Sequence, residues 1–289
     1  MEQKAERRID VTLLELFERQ LVAEEKSRGT IELYLRDLRE FDQWLENRTV
    51  SKETVCQWKI SLIDDGRKPV TVNRKLAALN RFFIMMGWED CKVKTLKLQK
   101  QIFRDTSREL TRKEYEALLL EAERQGRMRI RLLMETICST GIRVSEVKYI
   151  TVEALASGRA EVRMKGKIRV IMIPGKLCRK LSKYCKRLGI RQGEVFVNSK
   201  GNTVSRKQIW AEMKVLCEEA GIEATKVFPH NLRHLFARCF YKACGDLVRL
   251  ADVLGHSNVE TTRIYLMSTG IEHAKILERL HLISQIDDY

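Results

Sequence analysis

The stretch Phe228-Pro229-His230-Asn231-Leu232-Arg233-His234 holds one guanidinium and two imidazoles within five residues. Proline suits the first turn of a helix, and a helix opening there puts His230, Arg233 and His234 on one face at i, i+3 and i+4. Two histidines four apart can share a zinc ion. Here the glutamate of an H-E-x-x-H site is missing, and Arg233 would set a fixed positive charge beside the metal, so no metal is expected. An anion suits the face better. A guanidinium forks onto two phosphate oxygens, and a histidine beside it can donate or accept a proton near neutral pH.

Two further stretches carry the same kind of chemistry. In Leu254-Gly255-His256-Ser257-Asn258-Val259-Glu260-Thr261-Thr262-Arg263-Ile264-Tyr265, Gly255 can end one helix in the left-handed conformation. Ser257 or Asn258 can cap the next helix, which leaves His256 in the corner between them and Tyr265 about two turns into the second. Upstream, Ser139-Thr140-Gly141-Ile142-Arg143-Val144-Ser145-Glu146 reads as a helix stop, an arginine, and a restart with a carboxylate three residues after it.

In this order and at these intervals the sequence resembles the tyrosine recombinases: phage integrases, Xer-type resolvases and the integrases of conjugative transposons. Thr140 to Glu146 matches the family's T-G-x-R-x-x-E stretch, Lys165 its lysine in a β-hairpin turn, and His230 and Arg233 its H-x-x-R. His256 matches the histidine of L-G-H, and Tyr265 the tyrosine nine residues later. The resemblance implies Arg143, Lys165, His230, Arg233, His256 and Tyr265 as catalytic residues, with Glu146 and His234 in support.

Attack on a phosphodiester builds negative charge on the non-bridging oxygens, which Arg143, Arg233 and a donor from His256 would meet. A tyrosine nucleophile must lose a phenolic proton, ordinarily with a pKa of about 10, which nearby positive charge and a base such as His230 would ease. By resemblance, Lys165 is the general acid for the leaving 5′ oxygen, with Lys167 close enough to be its alternative. Glu146 reads as a buttress for an arginine. The family's 3′-phosphotyrosine conserves the energy of the broken bond, so no cofactor is needed. In keeping with this, the chain has no G-x-x-x-x-G-K-[ST] loop and no paired acidic metal motif.

The elements that must position these groups are mainly helical. From Val11 to about Trp88, helical spacing recurs in LLELFERQLV, TIELYLRDLREFDQWL and VNRKLAALNRFFIMMGW, separated by turn signals at Ser27-Arg28-Gly29-Thr30 and at Asp64-Asp65-Gly66 with Pro69. Lys92, Lys94, Lys97, Lys100 and Arg104 follow without an amphipathic period, as in a basic linker. A capping box at Thr111 and Glu114 opens the next helix. AEVRM and IRVIMIP alternate with period two around Lys165-Gly166-Lys167, as in a β-hairpin. The expected architecture is a mainly α protein with a small β-hairpin. It has a helical core-binding, SAM-like domain over 1–90, a linker over 91–108 and an α+β catalytic domain over 109–289. The last of these ends in a tail, Ile271 to Tyr289, with an apolar face that could fold onto its own domain or dock on a neighbour.

Composition agrees. A formal charge of +15 in 289 residues draws in polyanions, and 44% hydrophobic content fits a globular chain. The eight cysteines form no C-x-x-C pair and read as reduced thiols, and no uncharged apolar run suits a bilayer, so a cytoplasmic protein with no membrane partner is expected. The resemblance implies a clamp around double-stranded DNA, two protomers on each core site and four in the synapse, with an accessory DNA-bending or directionality protein as a further partner. Arg74, Lys75, Asn80 and Arg81 are candidates for groove contacts, their alternative being a solvated basic face, and Lys97, Lys100 and Arg104 for a strap on phosphates. A relaxing topoisomerase of the same chemical type and a catalytically silent DNA-binding regulator are the rival readings. The small two-domain size argues against the first, and the complete set of catalytic-type residues against the second.

Overall fold

Polar caps set where the amino-terminal helices begin. In the computed structural model, which describes residues 6–98, 107–164, 167–265, 274 and 277–280, α1 (Val11–Ala23) is capped by Asp10 and α2 (Arg28–Leu45) by Ser27. A capping box of Ser51 and Thr54 opens α3 (Lys52–Asp64), the helix that lacks clear spacing in the sequence. α4 (Pro69–Met85) starts on Pro69, whose missing N–H has no helical partner to lose at that position. The apolar faces close around Phe17, Phe41, Trp58, Phe82 and Phe83, a core rich in ring contacts.

The α4 residues expected to meet DNA are held by this unit itself. Lys75 is 3% exposed, and its amine pairs with Glu40 and with the fully buried Asp37 while lying over the Trp58 ring. A charge buried this way is part of the core, which corrects its reading as a groove contact. Asn80 is likewise reassigned: its side chain donates to the Val93 carbonyl and accepts from the Val93 N–H. Asn73, seven residues earlier, does the same with Leu96. Seven helical residues rise about 10.5 Å and three extended residues span about 10 Å, so the two amides match the strand-like segment that they bind. Arg74 and Arg81 are part-exposed but ion-paired, with Asp37 and Glu24, and Lys97 stays exposed. Lys100 and Arg104 lie outside the described residues.

The chain divides into two compact units, Met1–Lys100 and Gln101–Tyr289. In the second, the capping box of Thr111 and Glu114 opens α5 (Arg112–Arg124), followed by α6 (Met128–Thr140), a 3-10 turn over Val144–Tyr149 and α7 (Val152–Ser157). β1 (Arg159–Met164) and β2 (Lys167–Met172) pair antiparallel, with Val162 opposite Arg169. Then come α8 (Gly175–Leu188), α9 (Arg206–Glu219), α10 (Pro229–Cys244), α11 (Leu247–Leu254) and α12 (Glu260–Arg263). The hairpin turns Ala160, Val162 and Ile171 into the core and leaves Ile168, Val170 and Met172 exposed. Lys165 and most of the tail from Ile271 to Tyr289 lie outside the described residues. Among those described, no helix is long and apolar enough to cross a membrane.

Candidate active site

α6 stops at Gly141, where φ is +66°. A Cβ there would run into the Phe236 ring of α10 and crowd Leu254, so both conformation and packing require glycine. The chain restarts two residues later, and Glu146 organises the restart. Its carboxylate accepts the Arg143 backbone N–H at 2.7 Å and Arg143 Nη1 at 2.9 Å. The Arg143 side chain remains 41% exposed, which leaves donors open to a ligand.

Arg233, on the first turns of α10, is 1% exposed. It donates from Nη1 to the Gly141 carbonyl, and from Nη2 to the Leu254 carbonyl at 2.8 Å and to His256 Nε2 at 2.9 Å. A guanidinium has five N–H groups, so about two remain for the Tyr265 phenol, which it also meets, and for an anion. Burial, with Arg143's charge adding to it, lowers the Arg233 pKa to about 10. It therefore stays charged at neutral pH.

The corner that holds His256 is set by Gly255, at φ +65°, which ends α11. Arginine can only donate, so His256 Nε2 must accept and the ring proton sits on Nδ1, 2.8 Å from Thr262 Oγ1. Burial first, then Arg233 and Arg143, lower the His256 pKa to about 4, which keeps the ring neutral. In this arrangement His256 acts through Arg233, since its own donor is committed to Thr262.

Tyr265 lies closer to the corner than helical spacing suggests. α12 is a single turn that ends at Arg263, and Tyr265 follows in a turn, its N–H bonded to the Thr262 carbonyl at 3.1 Å. The expected position two turns into a helix is therefore corrected. Neither Ser257 nor Asn258 is the N-cap residue, although the Asn258 side chain accepts the Glu260 N–H at 2.8 Å. The Tyr265 ring is 3% exposed and packs on Ala237, Leu250 and Leu254. His234 meets it edge-on at 4.5 Å between centroids, and His256 stacks at 6.0 Å. His230 stands beyond His234, again at 4.5 Å. Burial and the charges of Arg233 and Arg143 hold His230 below its ordinary pKa, so it can accept a proton near neutrality.

One residue of this cluster escaped sequence reasoning. Arg169 on β2 ion-pairs with Glu146 and donates from Nη1 to the Val253 carbonyl at 3.2 Å. Its side chain fills the space beside Gly255 that a Cβ would need. The signal was hidden because the apolar alternation Ile168, Val170, Met172 marks the opposite strand face as the inner one. An arginine among inward positions was the only sign.

Comparison with known proteins decides the family. Residues 108–270 match the phage integrase family, and residues 14–90 match the phage integrase N-terminal SAM-like domain. The chain belongs to the phage integrase family. It is 30% identical over 276 residues to tyrosine recombinase XerC of Roseiflexus castenholzii, covering 87% of each chain. It is 29% identical over 278 residues to XerD of Halalkalibacterium halodurans, covering 88% of this chain and 92% of that one. By family, then, this is a tyrosine recombinase, an enzyme that breaks and rejoins DNA. In fold it is similar to a lambda integrase tetramer bound to a Holliday junction. That likeness has a TM-score of 0.70 at 18% identity, over 87% of this chain and 76% of the other.

Proposed function

We propose that this recombinase cuts duplex DNA at a specific site through a 3′-phosphotyrosine on Tyr265. The observation that supports this reading most is the convergence of Arg233, His256 and Tyr265, with the Arg143 loop tied to the same arginine through Gly141. The phosphate of the scissile bond sits on Arg143 and on the remaining donors of Arg233, whose fixed charges are already oriented before charge develops. Tyr265 Oη attacks phosphorus, its proton passing to His230. The bond from phosphorus to the 5′ oxygen breaks, and that oxygen takes a proton from Lys165. Rejoining reverses these steps with a 5′ hydroxyl from a partner strand, so the energy of the phosphodiester is kept throughout.

Strand exchange brings two sites together. We infer two protomers on each core site and four in the synapse, as the lambda integrase tetramer on a Holliday junction suggests. A DNA-bending or directionality protein is a further expected partner. A cytoplasmic setting is proposed with it, supported by eight free thiols.

The DNA beside the gene supplies the test. Two plasmids carrying that junction, incubated with the protein, should exchange strands and yield recombinant products without ATP. Relaxation of supercoiled plasmid of any sequence, with no exchange, would assign the chain to the topoisomerase alternative instead.

A further inference from the structure

The longest run of unbalanced charge begins in the hairpin that carries Lys165 and Arg169 and continues past the active site. From Val162 to Gly193 the sequence contains eleven Lys and Arg residues and no Asp or Glu. Much of this charge is carried by α8, whose inner face is Leu177, Leu181, Tyr184 and Cys185. The opposite face presents Lys176, Arg179, Lys183, Lys186 and Arg187, all exposed. At 100° per residue these five fall within an arc of about 100°, forming one stripe roughly 16 Å long.

Helix stability does not explain the stripe. Lys186 and Arg187 suit the negative end of the helix dipole, but Lys176 stands in the first turn, where the dipole disfavours a cation. Like charges also repel at the i, i+4 pairs Arg179/Lys183 and Lys183/Arg187. Lys180, the one other cation of α8, is ion-paired with Glu135 on α6 at 2.8 Å. Among the described residues no carboxylate stands within ion-pair distance of the five stripe residues. A repulsive stripe without counter-ions is matched by a partner whose own charge is continuous and of one sign.

We propose that the α8 stripe holds the sugar-phosphate backbone of duplex DNA, as a contact surface separate from the site around Arg143 and Arg233. This rests on the reading of the chain as a DNA recombinase. The stripe offers no exposed aromatic ring and no Asn or Gln to read base edges, so its contact is with phosphates and indifferent to sequence. Such a surface would grip DNA flanking the recombination site.

The test compares the variant Lys176→Gln/Arg179→Gln/Lys183→Gln with a control of equal charge loss, Lys200→Gln/Arg206→Gln/Lys207→Gln, on the full-length protein. Binding to a duplex of arbitrary sequence is followed by fluorescence anisotropy across a salt titration, with circular dichroism to verify folding. Each phosphate contact contributes about 0.9 to the slope of log affinity against log salt, so the stripe variant should lose about 2.7 and the control nothing. A loss below about 0.9, or an equal loss in the control, would overturn the proposal, whether the stripe is merely solvated or serves an acidic protein. Covalent attachment of Tyr265 to the recombination site, measured beside it on the wild type, tests the recombinase reading. The stripe variant should keep that attachment at saturating protein.

Discussion

Arg233 joins two backbone carbonyls and one imidazole at the cost of burying a charge. Its guanidinium links the Gly141 turn, the end of α11 and His256, so its remaining donors are already oriented for the phosphate proposed above. Burial and two neighbouring arginines oppose any further positive charge, which is why His256 and His230 are both held below the usual histidine value. The pH dependence follows in sign. A histidine kept neutral in the fold contributes its full stability above the unfolded pKa of about 6.5, and loses it as pH falls toward the folded value. For His256 the window runs from about 6.5 down to about 4. Thermal melts across this range should show Tm dropping with acid, and His256→Asn should flatten the drop. A variant with an unchanged slope would mean that another group carries it. Arg169 acts one contact further out, through Glu146 and the Val253 carbonyl. Arg169→Ala should lower kcat by up to about 10²-fold, since small misplacements of a charge-stabilising group cost that much, with little change in DNA affinity. Arg169→Lys should recover only part, because one ammonium cannot fork between two partners. A change confined to KM would instead make Arg169 a DNA contact.

At the scale of the element, much was legible because caps and breakers are local. Thr111 with Glu114, Ser27, Pro229, Gly141 and Gly255 all act on neighbouring backbone, and their side chains or dihedrals name the helix ends directly. What was not legible depended on partners distant in sequence. Lys75 looks like a surface cation until Asp37 and Glu40 are brought to it from α2, and Asn80 looks like a base reader until the chain returns at Val93. Within the described residues α12 ends at Arg263, with the Thr262 hydroxyl on His256 Nδ1 and the Thr262 carbonyl accepting the Tyr265 N–H. The reassignment of Lys75 has a measurable consequence. Lys75→Ala removes one of the cations on the fully buried Asp37 while Arg74 stays, so the cost should fall below the roughly 3 to 5 kcal/mol of a buried charge left uncompensated. Chemical denaturation should show that loss, while the folded fraction binds DNA with its affinity unchanged. Lost affinity at unchanged stability would restore Lys75 as a DNA contact.

At the scale of the whole molecule, two compact units share one chain, and the cluster of Arg143, His230, Arg233, His256 and Tyr265 lies within the second. Family membership makes the chain a DNA-breaking and rejoining enzyme, and the central claim is that Tyr265 forms the covalent bond. Tyr265→Phe removes one oxygen and leaves the ring packed on Ala237, Leu250 and Leu254, so DNA binding and fold should persist. The direct measurement is the yield of SDS-resistant protein–DNA adduct from wild type and Tyr265→Phe on the same junction DNA, in EDTA. The wild type should give an adduct and the variant none, with equal binding in a gel shift. An adduct of equal yield from the Tyr265→Phe protein would contradict the assignment and place the nucleophile on another side chain.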